Sequence, residues 1–191
     1  MSGTSVSGAA STLGLVGTGA GGVESLRVEL VEPLIRSGWQ VAVTLTPTAG
    51  EWLRDMGEID EIEKVTGLPV RVGARGPGES SPHPTVDGYA VVPASANTIA
   101  KLALGIADNQ ALTTVNEAIG TVGRPVVVFP RINAAHARHP AWASHIAALR
   151  TAGVDLIDGD DLWPLHEPRS APGRDLPWPT IRSRITTAMA G

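Results

Sequence analysis

The 191-residue chain contains no cysteine, and this absence excludes several kinds of chemistry at once. Disulfides, thiolate zinc sites, iron–sulfur clusters and cysteine nucleophiles all require a thiol. The absence says little about the compartment, except that the protein does not need an oxidising one. Any catalysis by this chain must therefore use other side chains or a bound cofactor.

Positive charge is also in the minority, because the net charge is −4 and the pI is about 5.7. Bulk charge therefore does not attract phosphate backbones or anionic lipid, and we expect neither nucleic acid nor a membrane as a partner. No apolar run approaches the ~18 residues of a membrane-spanning helix. Residues 1–11 lack the basic start and apolar stretch of a signal peptide. We expect a cytoplasmic protein with a disordered lead-in over residues 1–11.

Short apolar runs alternate with helical patterns along the rest of the chain. The predicted strands are 12–16, 39–45, 68–72, 89–92, 125–129 and 154–157. Because the runs are apolar throughout, they predict a parallel sheet covered by helices on both faces. The fold class is thus a single doubly wound, Rossmann-like or flavodoxin-like three-layer α/β domain over residues 12–162. The proline-rich residues 163–191 are predicted to form a flexible segment and a C-terminal helix.

A glycine-rich loop, GTGAGG, follows the first predicted strand and opens a helix. Its Gly17-x-Gly19-x-x-Gly22 spacing resembles a dinucleotide fingerprint, in which backbone N–H groups surround an anion. That fingerprint expects an acidic residue after the second strand, whereas Thr44–Thr48 offers hydroxyls and no acid. The pattern favours a mononucleotide. The alternative is a tight turn that binds nothing.

The stretch PASANTIAKLALGIADN, residues 93–109, places three polar side chains between a strand and a helix. Ser95 or Asn97 can cap that helix, but one cap needs only one side chain. The carboxyl ends of strands in open α/β sheets are where ligands bind. The segment after Thr98 is predicted to be one long helix that includes Asp108 and Asn109, both poor helix formers that meet a ligand, a neighbouring subunit or solvent.

This stretch resembles the signature of the homo-oligomeric flavin-containing cysteine decarboxylases. That family includes phosphopantothenoylcysteine decarboxylases and enzymes that oxidatively decarboxylate C-terminal cysteines of lantibiotic-type peptides. The resemblance covers about residues 13–181 and implies FMN as cofactor, bound between subunits of a trimer or a multiple of trimers. It implies cofactor contacts from the glycine loop, the TPTA segment with its aromatic neighbour, and the PASANT segment: Gly19, Ala20, Gly21, Thr46, Thr48, Trp52, Ser95, Ala96, Asn97 and Thr98.

A third motif, Pro130-Arg131-Ile132-Asn133, is similar to the family's Pro-x-Met-Asn. The resemblance assigns Asn133 to the carboxylate of the substrate and Arg131 to the cofactor, whereas on its own Asn133 reads as a turn residue. His83 is the one candidate for the family's catalytic histidine. It lies between two prolines and closer to PASANT than the family spacing, so the alternative is an exposed loop residue.

These residues leave several functions open. The first is a flavin-dependent oxidoreductase or decarboxylase acting on a peptide C-terminus or a small thiol-bearing carboxylic acid. The second is a non-catalytic or regulatory FMN-binding subunit. Phosphopantothenoylcysteine decarboxylases need a cysteine in a late substrate clamp, which residues 163–191 resemble without the cysteine, and this absence and the position of His83 favour the second function. The third is a relative of flavin prenyltransferases, against which the PASANT segment argues. We expect no metal, because His136, His139 and His145 lack an acidic partner and DGDD at residues 158–161 reads as a turn.

Overall fold

A computed structural model describes residues 11–170 and 173–190. The lead-in expected over residues 1–11 lies outside the described residues, apart from Ser11. Five strands form one sheet in the order β2-β1-β3-β4-β5, and every neighbouring pair is parallel. This is the flavodoxin-like strand order, so the predicted fold class is confirmed. The strands are β1 (Thr12–Gly17), β2 (Gln40–Leu45), β3 (Gly88–Ala94), β4 (Val126–Pro130) and β5 (Asp155–Leu156).

Helices connect the strands and cover both faces of the sheet. The first helical segment contains a 3₁₀ turn (Val23–Ser25), a π-helical stretch (Arg27–Val31) and α1 (Glu32–Arg36). The others are α2 (Pro47–Asp55), α3 (Glu58–Thr66), α4 (Ala96–Ala103), α5 (Gln110–Ile119), α6 (Ala134–Ala137), α7 (Trp142–Thr151) and α8 (Trp178–Met189). Among the described residues, none of these helices is long and apolar enough to cross a membrane.

Two hydrophobic clusters lie on opposite faces of the sheet, because successive side chains of a strand point in opposite directions. Phe129 of β4 belongs to the cluster under α1, α3 and α8, and it is fully buried. Its neighbour Val128 belongs to the cluster under α4, α5 and α7. The two clusters make this a three-layer domain whose strand ends are left free at the sheet's edges.

The single long helix predicted after Thr98 is wrong, because the chain forms two helices there. It leaves α4 at Leu104, and Gly105 takes the left-handed conformation with φ 68°. Asn109 then caps α5, since its side-chain oxygen accepts a hydrogen bond from the N–H of Leu112 at 3.1 Å. The poor helix formers Asp108 and Asn109 therefore lie in a helix break and a helix start.

The strand predicted over residues 68–72 is reduced to a single bridge. Arg71 pairs with Thr44 at the outer edge of β2 and exchanges backbone hydrogen bonds with Val43 and Leu45 at 3.0 and 2.7 Å. Pro69 has no N–H to donate, so the ladder cannot extend through it. The loop from here to β3 runs past the edge of the sheet.

Candidate functional site

A cavity of about 470 Å³ lies at the carboxyl ends of β1, β2 and β3. In the sheet, β2 lies next to β1 on one side and β3 lies next to it on the other, so the strand order reverses at β1. Ligands of open α/β sheets bind at such switch points. The volume lies in the range of about 300–1,000 Å³ typical of small-ligand pockets. Seven residues predicted from the sequence line this cavity: Gly19, Thr46, Thr48, Ser95, Ala96, Asn97 and Thr98.

The fully buried hydroxyl of Thr18 joins the loops that follow β1 and β3. Its Oγ1 donates a hydrogen bond to the carbonyl oxygen of Pro93 at 2.7 Å. The same atom accepts a hydrogen bond from the N–H of Ser95 at 3.0 Å. Thr18 therefore has a structural role, since both bonds fix the glycine loop against the start of α4.

The polar side chains of the PASANT segment divide into two uses. Ser95 Oγ accepts a hydrogen bond from the N–H of Thr98 at 3.2 Å and lies 3.0 Å from its hydroxyl. This pair caps α4, as the helix-capping interpretation predicted. Asn97 is exposed in the first turn of the same helix, and its side chain makes no hydrogen bond to the described residues. Its amide is available to a ligand in the cavity.

The first turn of α2 faces the same cavity. Thr46 precedes the helix without forming a side-chain cap, and Pro47 occupies the first turn. The N–H groups of Thr48 and Ala49 have no partner within the helix by position, so they and the exposed Thr48 hydroxyl can bind an anion. A Cβ on Gly19 would lie 2.8 Å from Thr48 Cγ2, so only glycine allows this approach. These donors fit the phosphate of FMN.

Four other predicted residues lie outside the lining of this cavity. Ala20 is a buried residue of the glycine loop, and Gly21 is on the side of the loop that faces Arg131. Trp52 is 45% exposed on α2. Arg131 follows β4 and contacts Trp163. Their expected contacts with FMN stay predictions.

Neither residue predicted to take part in catalysis lines the cavity, and each makes a hydrogen bond to another part of the chain. His83 Nε2 lies 2.7 Å from the carbonyl oxygen of Pro69 and donates to it, in the loop beside β2. Burial lowers the pKa of His83. Asn133 caps α6, because its Oδ1 accepts a hydrogen bond from the N–H of His136 at 2.9 Å.

Sequence reasoning gave no ligand role in this cavity to His136 and Lys101. The exposed His136 lines the cavity from α6, where the sequence had grouped it with two other histidines. Lys101 Nζ lies 2.5 Å from Asp108 Oδ2 at the rim, and this hydrogen bond lowers the pKa of Asp108. The sequence did contain a signal for His136, because it lies one helical turn after Asn133, a residue already predicted to belong to the site.

A larger depression, of about 610 Å³, lies at the opposite edge of the sheet. It is lined by the end of α5, the start of β4 and Met189 of α8, with Asp87 and Arg124 as its charged residues. It lacks a helix N-terminus, since α5 ends there, and the glycine loop is at the other edge. The cavity at the carboxyl ends is therefore the candidate site.

Comparisons with known proteins identify the family of this chain. A family model described as Flavoprotein matches residues 5–186. The chain is 30% identical over 139 residues to the coenzyme A biosynthesis bifunctional protein CoaBC of Thermococcus kodakarensis, a match that covers 69% of this chain and 32% of that protein. The chain thus spans about a third of the length of this curated relative.

Solved structures share the fold over nearly the whole chain. The FMN-dependent cysteine decarboxylase TvaF from thioviridamide biosynthesis matches with a TM-score of 0.71 and 23% identity, over 94% of this chain and 98% of that one. The FMN-dependent cysteine decarboxylase SpaF matches with a TM-score of 0.64 and 25% identity, over 95% of each chain. With the family model matched from residue 5 to residue 186, the chain belongs to the flavoprotein family.

Proposed function

We propose that this protein binds FMN in the carboxyl-edge cavity and acts as a flavin-dependent oxidoreductase or decarboxylase. Its substrate would be a peptide C-terminus or a small thiol-bearing carboxylic acid. The observation that carries the proposal is the meeting of the glycine loop, the uncapped start of α2 and the free amide of Asn97 around one cavity. TvaF and SpaF, which share the fold, are FMN-dependent cysteine decarboxylases.

The chain's own residues divide the cofactor between two ends of the cavity. The first turn of α2, with Thr46 and Thr48, would bind the phosphate beside Gly19, where N–H groups and hydroxyls converge. The segment Ser95–Thr98 would bind the other end, with Asn97 supplying both a donor and an acceptor. When bound, FMN supplies a two-electron acceptor for oxidation of a carbon next to sulfur, which allows loss of carbon dioxide.

Asn133 would orient the carboxylate of the substrate, because an amide N–H₂ donates without adding charge. Its Oδ1 accepts the hydrogen bond of the helix cap, which leaves its Nδ2 as the donor. A donor at that atom holds the carboxylate in place while leaving it free to depart as carbon dioxide. His83 stays the sequence's candidate for a proton acceptor, although within this chain its Nε2 is bonded to the Pro69 carbonyl outside the cavity.

A second candidate is a non-catalytic or regulatory FMN-binding subunit of the same family. The contact of His83 with the Pro69 carbonyl, away from the cavity, favours it. This alternative uses the same cofactor site and differs only in lacking turnover. The test below separates the two.

We also propose that the cavity lies at an interface between copies of the chain, in a trimer or a multiple of trimers. The linker between α4 and α5 exposes Leu104 (64%) and Ile106 (41%) next to Asp108 and Asn109, which line the cavity. Light scattering of the purified protein would check this assembly. The cytoplasmic location expected from the sequence stays a prediction.

The proposed function is tested with the protein reconstituted with FMN and mixed with a cysteine-ended peptide without oxygen. For a decarboxylase we expect the flavin absorption to bleach and the peptide to lose carbon dioxide, as measured by mass spectrometry. Bound flavin with an unchanged peptide would support the non-catalytic subunit. A protein that takes up no FMN would contradict both candidates.

A further inference from the structure

The chain has five histidines, all within the described residues, and His136 alone among them lines the carboxyl-edge cavity. His83 Nε2 lies 2.7 Å from the carbonyl oxygen of Pro69, outside the lining. The ring of His139 accepts a hydrogen bond from the N–H of Ala141 at 3.1 Å. His136 is therefore the histidine whose position allows it to meet a ligand in the cavity.

The imidazole of His136 is not used by the fold. The hydrogen bond that this residue makes to Asn133 comes from its backbone N–H, at 2.9 Å. Its ring is exposed and has no hydrogen-bond partner among residues 11–170 and 173–190. A neutral imidazole has one ring nitrogen that donates and one that accepts. The accepting nitrogen of His136 is thus available to a proton of a ligand.

The two other ionisable side chains in the lining, Lys101 and Asp108, are paired with each other. Lys101 Nζ lies 2.5 Å from Asp108 Oδ2, and Asn109 Nδ2 donates to Asp108 Oδ1 at 3.1 Å. The hydrogen bond from Lys101 lowers the pKa of Asp108, so this carboxylate keeps its charge and accepts a proton poorly. Lysine is a cation without an acceptor. Histidine, by contrast, ordinarily changes charge near neutral pH.

The helix α6 places His136 beside the residue proposed to orient the substrate. Arg138 of α6 donates two hydrogen bonds to Glu167, at 2.6 and 2.8 Å, which tie the helix to the segment after β5. Residues three apart in a helical turn are neighbours, with Cβ atoms about 5–6 Å apart. The carboxylate and the thiol of a cysteine are on adjacent carbons. A carboxylate at Asn133 therefore brings the thiol within reach of His136.

We infer that His136, and not His83, accepts the proton of the substrate's thiol. The inference rests on the proposed function, because it assigns a residue to that reaction. The S–H bond breaks, its electron pair stays on sulfur, and the proton goes to the accepting nitrogen of the ring. A free thiol has a pKa of about 8.5 and is mostly protonated at neutral pH, so a base is needed. The exposed ring then releases the proton to solvent.

The test mixes the FMN-loaded protein, without oxygen, with a cysteine-ended peptide or with N-acetylcysteine and records flavin bleaching. We expect His136→Ala to slow bleaching at saturating thiol by about a hundred- to ten-thousandfold, the usual contribution of a general base. Added imidazole should restore part of the rate, because it can occupy the space of the missing ring. His139→Ala, at an exposed histidine outside the lining, is the matched control and should bleach as the unchanged protein does.

A second measurement needs no turnover. Histidine-ring NMR spectra are recorded with the bound flavin chemically reduced, so that it accepts no further electrons. The ring of His136, identified by the resonance that His136→Ala lacks, should gain a proton when the cysteine-ended peptide binds. A serine-ended peptide should leave this resonance unchanged, because an alcohol does not release its proton to imidazole.

The outcomes separate this inference from the proposed function. Bleaching by His136→Ala at the rate of the unchanged protein would overturn the inference and leave the proposed function standing. A loss of bleaching confined to His83→Ala would do the same. A slowed His136→Ala that imidazole does not rescue, together with a ring that gains no proton, would also overturn it. If neither thiol bleaches the flavin of the unchanged protein, the proposed function fails and the inference fails with it.

Discussion

The carboxyl-edge cavity and a depression of about 110 Å³ beside Arg131 and Arg174 lie on two sides of one glycine loop but are built in different ways. The cavity offers hydroxyls, an amide and the backbone N–H groups at the start of α2, and its lysine, Lys101, is paired with Asp108 at the rim. The cavity comes from strand ends that the sheet topology brings together.

The depression uses two guanidiniums that lie against the buried ring of Trp163, and two carboxylates share its lining. This indole is the platform of the depression, and it packs edge-on against Phe129. The depression depends on a segment near the C-terminus folding back over the loop, where Leu176 meets Gly22.

The largest expected effect comes from removing the platform of the depression. Trp163→Ala should lower the free energy of unfolding by about 3–5 kcal/mol, because a buried aromatic side chain leaves a cavity behind. FMN affinity should change little, since Trp163 does not line the cavity at the carboxyl ends of the strands. Urea unfolding of the protein without flavin measures the first quantity, and an FMN titration measures the second.

Trp52→Ala is the matched control, because the same side chain is 45% exposed there. Its effect on unfolding should stay below about 1 kcal/mol, as for surface substitutions generally. Equal destabilisation by the two tryptophan variants would show that Trp163 is not a buried support.

Gly22→Ala tests the contact between the glycine loop and the C-terminal segment. Gly22 has φ 103°, and an added Cβ would lie 2.5 Å from a methyl carbon of Leu176. Strain and collision together should lower the free energy of unfolding by about 2 kcal/mol. Gly38→Ala has a similar φ of 87° with nothing within 4 Å, so it should cost about 1 kcal/mol. Thermal unfolding of both variants isolates the Leu176 contact, and equal costs would contradict it.

Within the cavity, Ser95 and Asn97 should separate stability from binding. Ser95→Ala removes the cap of α4 and should cost about 1 kcal/mol of unfolding free energy. Asn97→Ala should change unfolding by less than about 0.5 kcal/mol, because the exposed side chain makes no internal bond. FMN affinity should fall about tenfold in the Asn97 variant, the cost of a lost hydrogen bond. Urea unfolding measures the stability of both variants, and flavin fluorescence measures their FMN affinity. A large loss of stability in Asn97→Ala, with FMN affinity lost only in Ser95→Ala, would contradict these assignments.

The features that could be predicted from the sequence depend on neighbouring residues, whereas those that could not depend on residues far apart in the chain. Five of the six predicted strands, the glycine loop and the cap in the PASANT segment could be predicted, because apolar runs and loop residues act locally and parallel strands end at one edge. The break after α4 was not predicted, because the spacing of apolar residues continues through Gly105 and Asn109 and does not reveal a left-handed glycine or a helix cap. The platform at Trp163 had no local signal, because its partners Phe129 and Arg131 are more than thirty residues away in the chain.

The smallest effect concerns pH and the loop that contains His83. Its folded pKa is lowered by burial, below the ordinary value of about 6.5. The unfolded chain therefore binds more protons, and the free energy of unfolding rises with pH through this window. The contribution is fully present above the unfolded pKa and is lost as pH falls through the folded pKa. His83→Gln should flatten this slope in urea unfolding between about pH 5 and pH 7, and an unchanged slope would contradict the assignment.

The most direct test of the central claim is equilibrium binding of FMN to the flavin-free protein, compared between the unchanged chain and Asn97→Ala. We expect saturable binding, measured by the flavin's visible absorption, that weakens about tenfold in the variant. Inorganic phosphate should compete only weakly, because it can occupy only the α2 end of the cavity. Absence of FMN binding, or equal affinity in both proteins, would contradict the placement of the cofactor beside the PASANT segment.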